Sequence, residues 1–423
     1  MKICLMTNTY LPHVGGVARS VSTFAAEYQR LGHEVLVVAP RLPGRTSRRA
    51  EAIVERVAAI QNFNGSDFSV RLPLAASLSS RLDEFAADIV HAHHPFLLGD
   101  TALRFATNRN IPVVFTHHTK YEDYVHYMPF NSPALRRAAM ALPTAYANLC
   151  DGVIAPSDSI ARLIKRRGVK VPVTVVPTGI DTAAFARGNG ARFRRKFKVP
   201  ARAFVVGHVG RLAPEKNLPY LGEAVARFLQ ANRTAWFLVV GGGPSEDALR
   251  EIFRRRGVES RLVLAGSHTG PALHDAYRAM DVFAFSSRSE TQGLVVAEAM
   301  AAGAPVIALQ ASGVREVVAH GKNGFLLAPQ ARPADFAKQL QRLAADPARR
   351  RQFSAAAVAT AGNFARGHCA QQAIDFYERI RRDTRRERLQ TAQSPWLALT
   401  ERIGVEWELL SRNAKAISTA MAS

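Results

Sequence analysis

Ile3-Cys4-Leu5-Met6, the helical pattern over 17–31, Gly32, and Val35-Leu36-Val37-Val38-Ala39 decide the fold class of this chain. Two short apolar runs with no polar interruption flank a stretch whose apolar residues recur at helical spacing, and Gly32 closes that helix. The order is strand, turn, helix, strand. A continuous apolar run is the pattern of a strand covered on both faces, so the sheet is parallel with helices on either side. The alternation continues through strands at 88–91, 113–116, 152–155 and 173–176, and a second series follows at 204–209, 235–240, 261–265, 282–285, 305–308 and 324–327. Between the series lies 178–200, rich in Gly and Arg and without periodicity. These patterns predict two doubly wound α/β domains, 1–185 and 186–365. A helical segment, 366–423, then crosses back and carries a basic, amphipathic extension. Ligands of open parallel sheets sit beyond the carboxyl ends of the strands, so two facing sheets would each take one substrate at a shared cleft.

Composition narrows the function classes. Of 423 residues, 48% are hydrophobic, which excludes global disorder. Lys and Arg number 56 against 34 Asp and Glu, a net charge of +22, which points to nucleic acid, anionic lipid surfaces or phosphorylated substrates. Cys4, Cys150 and Cys369 are far apart and form no CxxC pair. That argues against a disulfide scaffold or a zinc module and fits a reducing cytosol. The apolar run at the N-terminus turns polar at Thr7, too soon for a signal-peptide core. No window approaches the roughly 18 apolar residues of a membrane span, so any membrane contact is expected to be peripheral.

Two segments carry chemistry. In the block from Ser289 to Ile307, Glu290 precedes a helix that begins near Gln292–Gly293, and Glu298 follows eight positions on, inside it. Gly293 allows close backbone approach, and the helix N-terminus offers N–H donors to phosphate, with Thr291, Gln292 and Leu294 beside it. Glu290 is placed to accept hydrogen bonds from sugar hydroxyls, and Glu298 to reach ribose hydroxyls. Its apolar neighbours argue against Glu298 lying on a solvated face. The second segment is Gly210-Arg211-Leu212-Ala213-Pro214-Glu215-Lys216-Asn217, directly after a strand. Arg211 and Lys216 there can meet a diphosphate, against the competing reading of two solvated cations.

Together these residues resemble the retaining glycosyltransferases of family 4, of GT-B fold, over roughly residues 1–382. Asn8–Val17, with Gly15 and Gly16, resembles that family's N-terminal glycine loop, and Val176–Asp181 its interdomain segment. The resemblance implies two facing Rossmann-like domains. It implies Glu290 on the donor sugar, Glu298 on the nucleotide ribose, Arg211 and Lys216 on the diphosphate, and Gly16 approaching the phosphates. It also implies retention of anomeric configuration, with the departing phosphate taking the acceptor proton, and neither an obligatory metal nor another cofactor.

A narrower resemblance rests on Thr116-His117-His118-Thr119-Lys120-Tyr121-Glu122-Asp123-Tyr124-Val125-His126-Tyr127, which is similar to a segment of the diacylglycerol glucosyltransferases. It implies UDP-glucose as donor and diacylglycerol as acceptor. His118 would stand beside the reacting centre, with His94, His117, Tyr121, Glu122 and Tyr124 as acceptor-side candidates. The expected location is cytoplasmic, peripheral on the inner face of the cell membrane, through basic segments at 41–49, 162–170 and 379–388. The last holds six arginines, and a helical stripe over 401–420 carries Trp407. Two alternatives stand: the same donor chemistry with a soluble or polyprenyl-linked sugar acceptor, and a nucleic-acid-binding protein, disfavoured because the basic residues are dispersed.

Other features are weaker. His91, His93 and His94 suggest a metal, but no third ligand follows at a defined spacing, so they are expected to line the cleft or pack at a strand end. Gly241-Gly242-Gly243-Pro244 reads as a strand-to-helix turn near the nucleotide. The run 192–198 reads as an amphipathic helix burying Phe193 and Phe197 rather than as a nucleic-acid patch.

Overall fold

Strand β1 (Lys2–Met6) shows why these runs are apolar throughout: Ile3 and Leu5 belong to one core and Cys4 and Met6 to another. The computed structural model describes residues 1–13, 15–41, 54–60, 70–71, 76–123, 133–288 and 290–391. The chain divides into two units, Met1–Gly179 with Gly367–Ser423, and Ile180–Arg366.

In the first unit, β1 is followed by β2 (Glu34–Pro40), β3 (Val54–Val57) and a small antiparallel pair, β4 (Ala59–Ile60) and β5 (Val70–Arg71). Then come β6 (Ile89–Ala92), β7 (Val113–Thr116), β8 (Gly152–Ala155) and β9 (Val173–Val175). Among the described residues the main sheet has seven parallel strands in the order β3-β2-β1-β6-β7-β8-β9. The Gly16–Arg30 helix covers one face with Val21, Phe24 and Tyr28. The Arg366–Thr391 helix joins it there through Ile374 and Tyr377. Helices Ala76–Phe85 and Leu98–Arg109 cover the other face. Arg381 pairs with Asp88 at 2.6 Å, and Thr384 Oγ1 donates to Asp151 at 3.2 Å, fastening the returning helix to two strand starts. Strand β3 was not expected. Glu55 and Arg56 interrupt its apolar pattern, and it pairs at the sheet's edge, where Arg56 donates to the carbonyls of Pro40 and Leu11.

In the second unit the strands are β10 (Phe204–Val209), β11 (Ala235–Val240), β12 (Leu262–Leu264), β13 (Val282–Phe285), β14 (Val306–Leu309) and β15 (Gly324–Leu327). They are parallel, in the order β12-β11-β10-β13-β14-β15. That is the strand order of dinucleotide-binding sheets. Segment 178–200 holds two short helices, Thr182–Ala186 and Gly190–Lys196, which bury Phe185 and Phe193 in the second unit's core. Phe197 packs partly buried beside them. The second helix overlaps the one read over 192–198, whereas the first, five residues long, is too short to show a period. Ile180 pairs with Ala365, so residues 180–185 pack with the second unit.

Residues 42–49 of the first basic segment, Tyr124 and the 401–420 stripe lie outside the described residues, as do the side chains of Arg385, Arg386 and Arg388. Among the described residues, no helix is long and apolar enough to cross a membrane.

Candidate active site

In the second unit the strand order reverses between β10 and β13. The carboxyl ends of those two neighbours carry the two chemistry-bearing segments, at the position where such sheets bind ligands. After β10 the chain runs through Gly210 and Arg211 into a 3₁₀ turn, Pro214–Lys216, and then Asn217 at φ +55° before the Leu218–Ala231 helix. After β13 it runs through Ser286 to Gln292, and Gly293 at φ +75° caps the Leu294–Ala301 helix. The left-handed conformation at that cap favours glycine. The two loops are latched. Ser286 Oγ donates to the Lys216 carbonyl at 2.8 Å, and the Arg288 N–H to the Glu215 carbonyl at 3.3 Å. Gly241, φ +135°, lies so close that a Cβ there would stand 1.9 Å from the Gly210 carbonyl oxygen. The glycine turn thus packs directly on the Gly210 loop.

These latches bring Lys216 Nζ to 2.6 Å from Glu290 Oε1, with both side chains less than one-fifth exposed. Arg211 is half exposed and pairs with the buried Glu215 at 2.5 Å. The N-cap residue of the Leu294–Ala301 helix, Gly293, has no side chain to cap it. Two cations and a helix N-terminus therefore gather at one sheet end, an arrangement suited to a diphosphate. Thr291, Gln292 and Leu294 border it in the chain, Gln292 being buried. Glu298 is fully buried two turns on and accepts a hydrogen bond from Tyr277 Oη at 2.7 Å. His208, which sequence reasoning passed over, is buried on β10 and bonded through Nδ1 to the Ala284 carbonyl. Burial and the nearby Lys216 push its pKa down to about 4.

In the first unit the order reverses between β1 and β6. Gly15 caps the Gly16–Arg30 helix in an extended conformation, and a Cβ on Gly16 would meet nothing within 4 Å. Four histidines stand at the ends of β6 and β7. His94, an acceptor-side candidate, accepts the Asn8 backbone N–H at 3.1 Å, and Asn8 bonds Phe96 and Leu98, so this group ties the β1 loop to the β6 loop. His93 Nδ1 lies 2.9 Å from His118 Nε2. His117 is buried, with Tyr121 edge-on at 6.2 Å between ring centroids. Glu122 is clasped by Arg167, 2.5 Å from Oε1 to Nη2. His91, on β6 itself, bonds Thr116 Oγ1 at 2.6 Å and Tyr377 Oη at 2.5 Å.

Burial pushes His91 and His94 down to about 3 and His117 to about 4. It also holds His93 and His118 well below the usual histidine range, with neighbouring imidazoles adding to the effect. All five are neutral at pH 7. Among the described residues, no group of three or more His, Cys, Asp or Glu side chains is placed to hold a metal ion. The contacts of His93 and Tyr377 escaped sequence reasoning, because only the pairing of β6 with β7 and the return of the last helix create them.

Residues 14–184 match the family described as Glycosyltransferase Family 4, and residues 190–359 that described as Glycosyl transferases group 1. The chain is 31% identical to the alpha-monoglucosyldiacylglycerol synthase of Streptococcus pneumoniae, over 73% of this chain and 71% of that protein. It is 30% identical to the GDP-mannose-dependent alpha-mannosyltransferase of Mycobacterium tuberculosis, over 77% of this chain and 84% of that protein. Among solved structures, Anabaena Alr3699/HepE in complex with UDP matches with a TM-score of 0.71 at 23% identity, over 89% of this chain and 100% of that one. With two parallel α/β units of this kind and both family matches in chain order, the protein belongs to the family 4/group 1 glycosyltransferases of GT-B fold.

Proposed function

We propose that the protein transfers glucose from UDP-glucose to a membrane lipid such as 1,2-diacylglycerol, with retention at the anomeric carbon. The observation that supports it most is the Lys216–Glu290 pair at the strand reversal, which sets a cation for the leaving diphosphate against a carboxylate for the sugar hydroxyls. In this reading Arg211, Lys216 and the N-terminus of the Leu294–Ala301 helix stabilise charge growing on the nucleotide. Glu290 orients the hexose, and Glu298, already oriented by Tyr277, serves the ribose. His118 stands at the reacting centre, and His94, His117, Tyr121 and Glu122 belong to the acceptor side. No metal is required, since two cations and a helix end supply the charge a metal would.

The lipid acceptor is supported by the Streptococcus pneumoniae relative and by exposed cations Arg162, Lys165, Arg166 and Lys170, close together on and just after the Asp158–Arg166 helix. We place the protein peripherally on the inner face of the cell membrane. A second reading, mannosyl transfer from GDP-mannose to a soluble or polyprenyl-linked acceptor, is favoured by the nearly equal identity to the mycobacterial relative.

A screen decides between them: UDP-glucose, UDP-galactose and GDP-mannose against diacylglycerol and soluble sugars, with and without EDTA. Product mass and the anomeric coupling constant are the readouts. The expected result is an α-linked glucolipid from UDP-glucose, formed equally in EDTA, and lost by at least about 10²-fold in Glu290→Ala. A β-linkage, transfer only to soluble sugars, or near-normal turnover of Glu290→Ala would each overturn the corresponding part.

A further inference from the structure

His118 has a buried partner to which the proposed chemistry gives no task. His93 Nδ1 and His118 Nε2 are 2.9 Å apart, and the rings are inclined by 25° with centroids 5.2 Å apart. Both imidazoles are neutral, so one nitrogen of the pair carries a hydrogen and the other accepts it. The second nitrogen of His93, Nε2, is buried with no hydrogen-bond partner among the described residues. An orphaned buried N–H is rarer than an under-satisfied lone pair. With the single hydrogen of His93 on Nδ1, where an acceptor waits, Nε2 is left as a bare lone pair rather than as an orphaned N–H. In that arrangement His93 donates, His118 Nε2 accepts, and the hydrogen of neutral His118 is left on Nδ1.

The ring of His93 is held for this task. Its backbone N–H donates to the Met6 carbonyl at 2.9 Å, and its ring lies against His91 with centroids 4.0 Å apart. His91 is fixed in turn at both nitrogens, by Thr116 and by Tyr377, whose hydroxyl also meets that of Tyr28 at 2.9 Å.

We propose that His93 is a positioning residue that holds His118 as its Nδ1–H tautomer, so that His118 presents a neutral N–H donor to a substrate oxygen rather than acting as a base. The catalytic half of this rests on the assignment of His118 to the reacting centre; the tautomer does not.

The test uses the full chain labelled with ¹⁵N-histidine. Long-range ¹H–¹⁵N spectra of the protein without substrate should show His118 Nδ1 protonated and Nε2 bare. His93→Asn sets an amide N–H where Nδ1–H stands and should preserve both the tautomer and kcat to within about threefold. His93→Gln and His93→Ala remove that donor. They should shift His118 toward the Nε2–H form and lower kcat by about 10²-fold, the scale of a placed proton donor, with the donor KM little changed. A wild-type His118 protonated at Nε2, or loss in His93→Asn equal to that in His93→Ala, would overturn the proposal. A tautomer that moves in His93→Ala while kcat stays put would uphold the His93 contact and overturn the assignment of His118 to the reacting centre.

Discussion

Lys216 meets two demands at once. Its ammonium neutralises a carboxylate that is mostly out of water, and in the proposed reaction it must also face an anion at the end of β10. A single preorganised charge at a leaving group contributes about 10²–10³ in rate. Lys216→Ala should therefore lower kcat by that factor with the fold intact, measured by initial rates and circular dichroism. A loss confined to the acceptor KM would contradict the role. Arg211 is half exposed and paired with Glu215.

Between elements, the most consequential contact is that of the last helix with the first unit. Tyr377 lies on it, buried, and its hydroxyl bridges Tyr28 on the first helix and His91 on β6. Burial holds both tyrosine hydroxyls protonated, Tyr28 being raised well above its ordinary value. Tyr377→Phe keeps the ring but leaves one nitrogen of His91 without its partner and takes a partner from Tyr28. Unsatisfied buried polar groups cost about 1–3 kcal/mol each. Urea unfolding of Tyr377→Phe should therefore show a stability loss of about 2–6 kcal/mol for the two groups together, with an unchanged m-value. Stability equal to wild type would mean that this bridge contributes nothing to holding the helix.

At the scale of the whole chain, a charge of +22 acts on whatever surface the protein approaches. Each Lys or Arg near an anionic leaflet contributes about 1 kcal/mol, and the attraction decays over a Debye length of about 8 Å at physiological salt. The protein should sediment with vesicles containing phosphatidylglycerol, sediment less with phosphatidylcholine alone, and release as salt rises. Charge reversal of Arg162, Lys165 and Arg166 should weaken the anionic-vesicle binding. Indifference to vesicle charge would remove the peripheral-membrane proposal and favour a soluble acceptor.

What the sequence by itself determined follows from local chemistry. Strands such as β7, β8, β10, β11, β13 and β15 were legible to the residue because most of their side chains are buried on both faces and their runs are apolar apart from Thr116 and the buried His208. The loops after β10 and β13 were legible because Gly, Pro and paired charges mark a strand-to-helix turn. Strand β3, at an edge with two charged residues, and the five-residue Thr182–Ala186 helix left no such period. Only the tertiary structure decided which loops meet. Lys216 and Glu290 are 74 positions apart, His93 and His118 are 25, and Tyr28 and Tyr377 are 349. Each contact exists because β10 lies beside β13, because β6 lies beside β7, or because the last helix returns to the first unit. Strand order and helix return depend on how separate elements bury their apolar faces against one another, and that choice has no signature in the spacing of residues along any one of them.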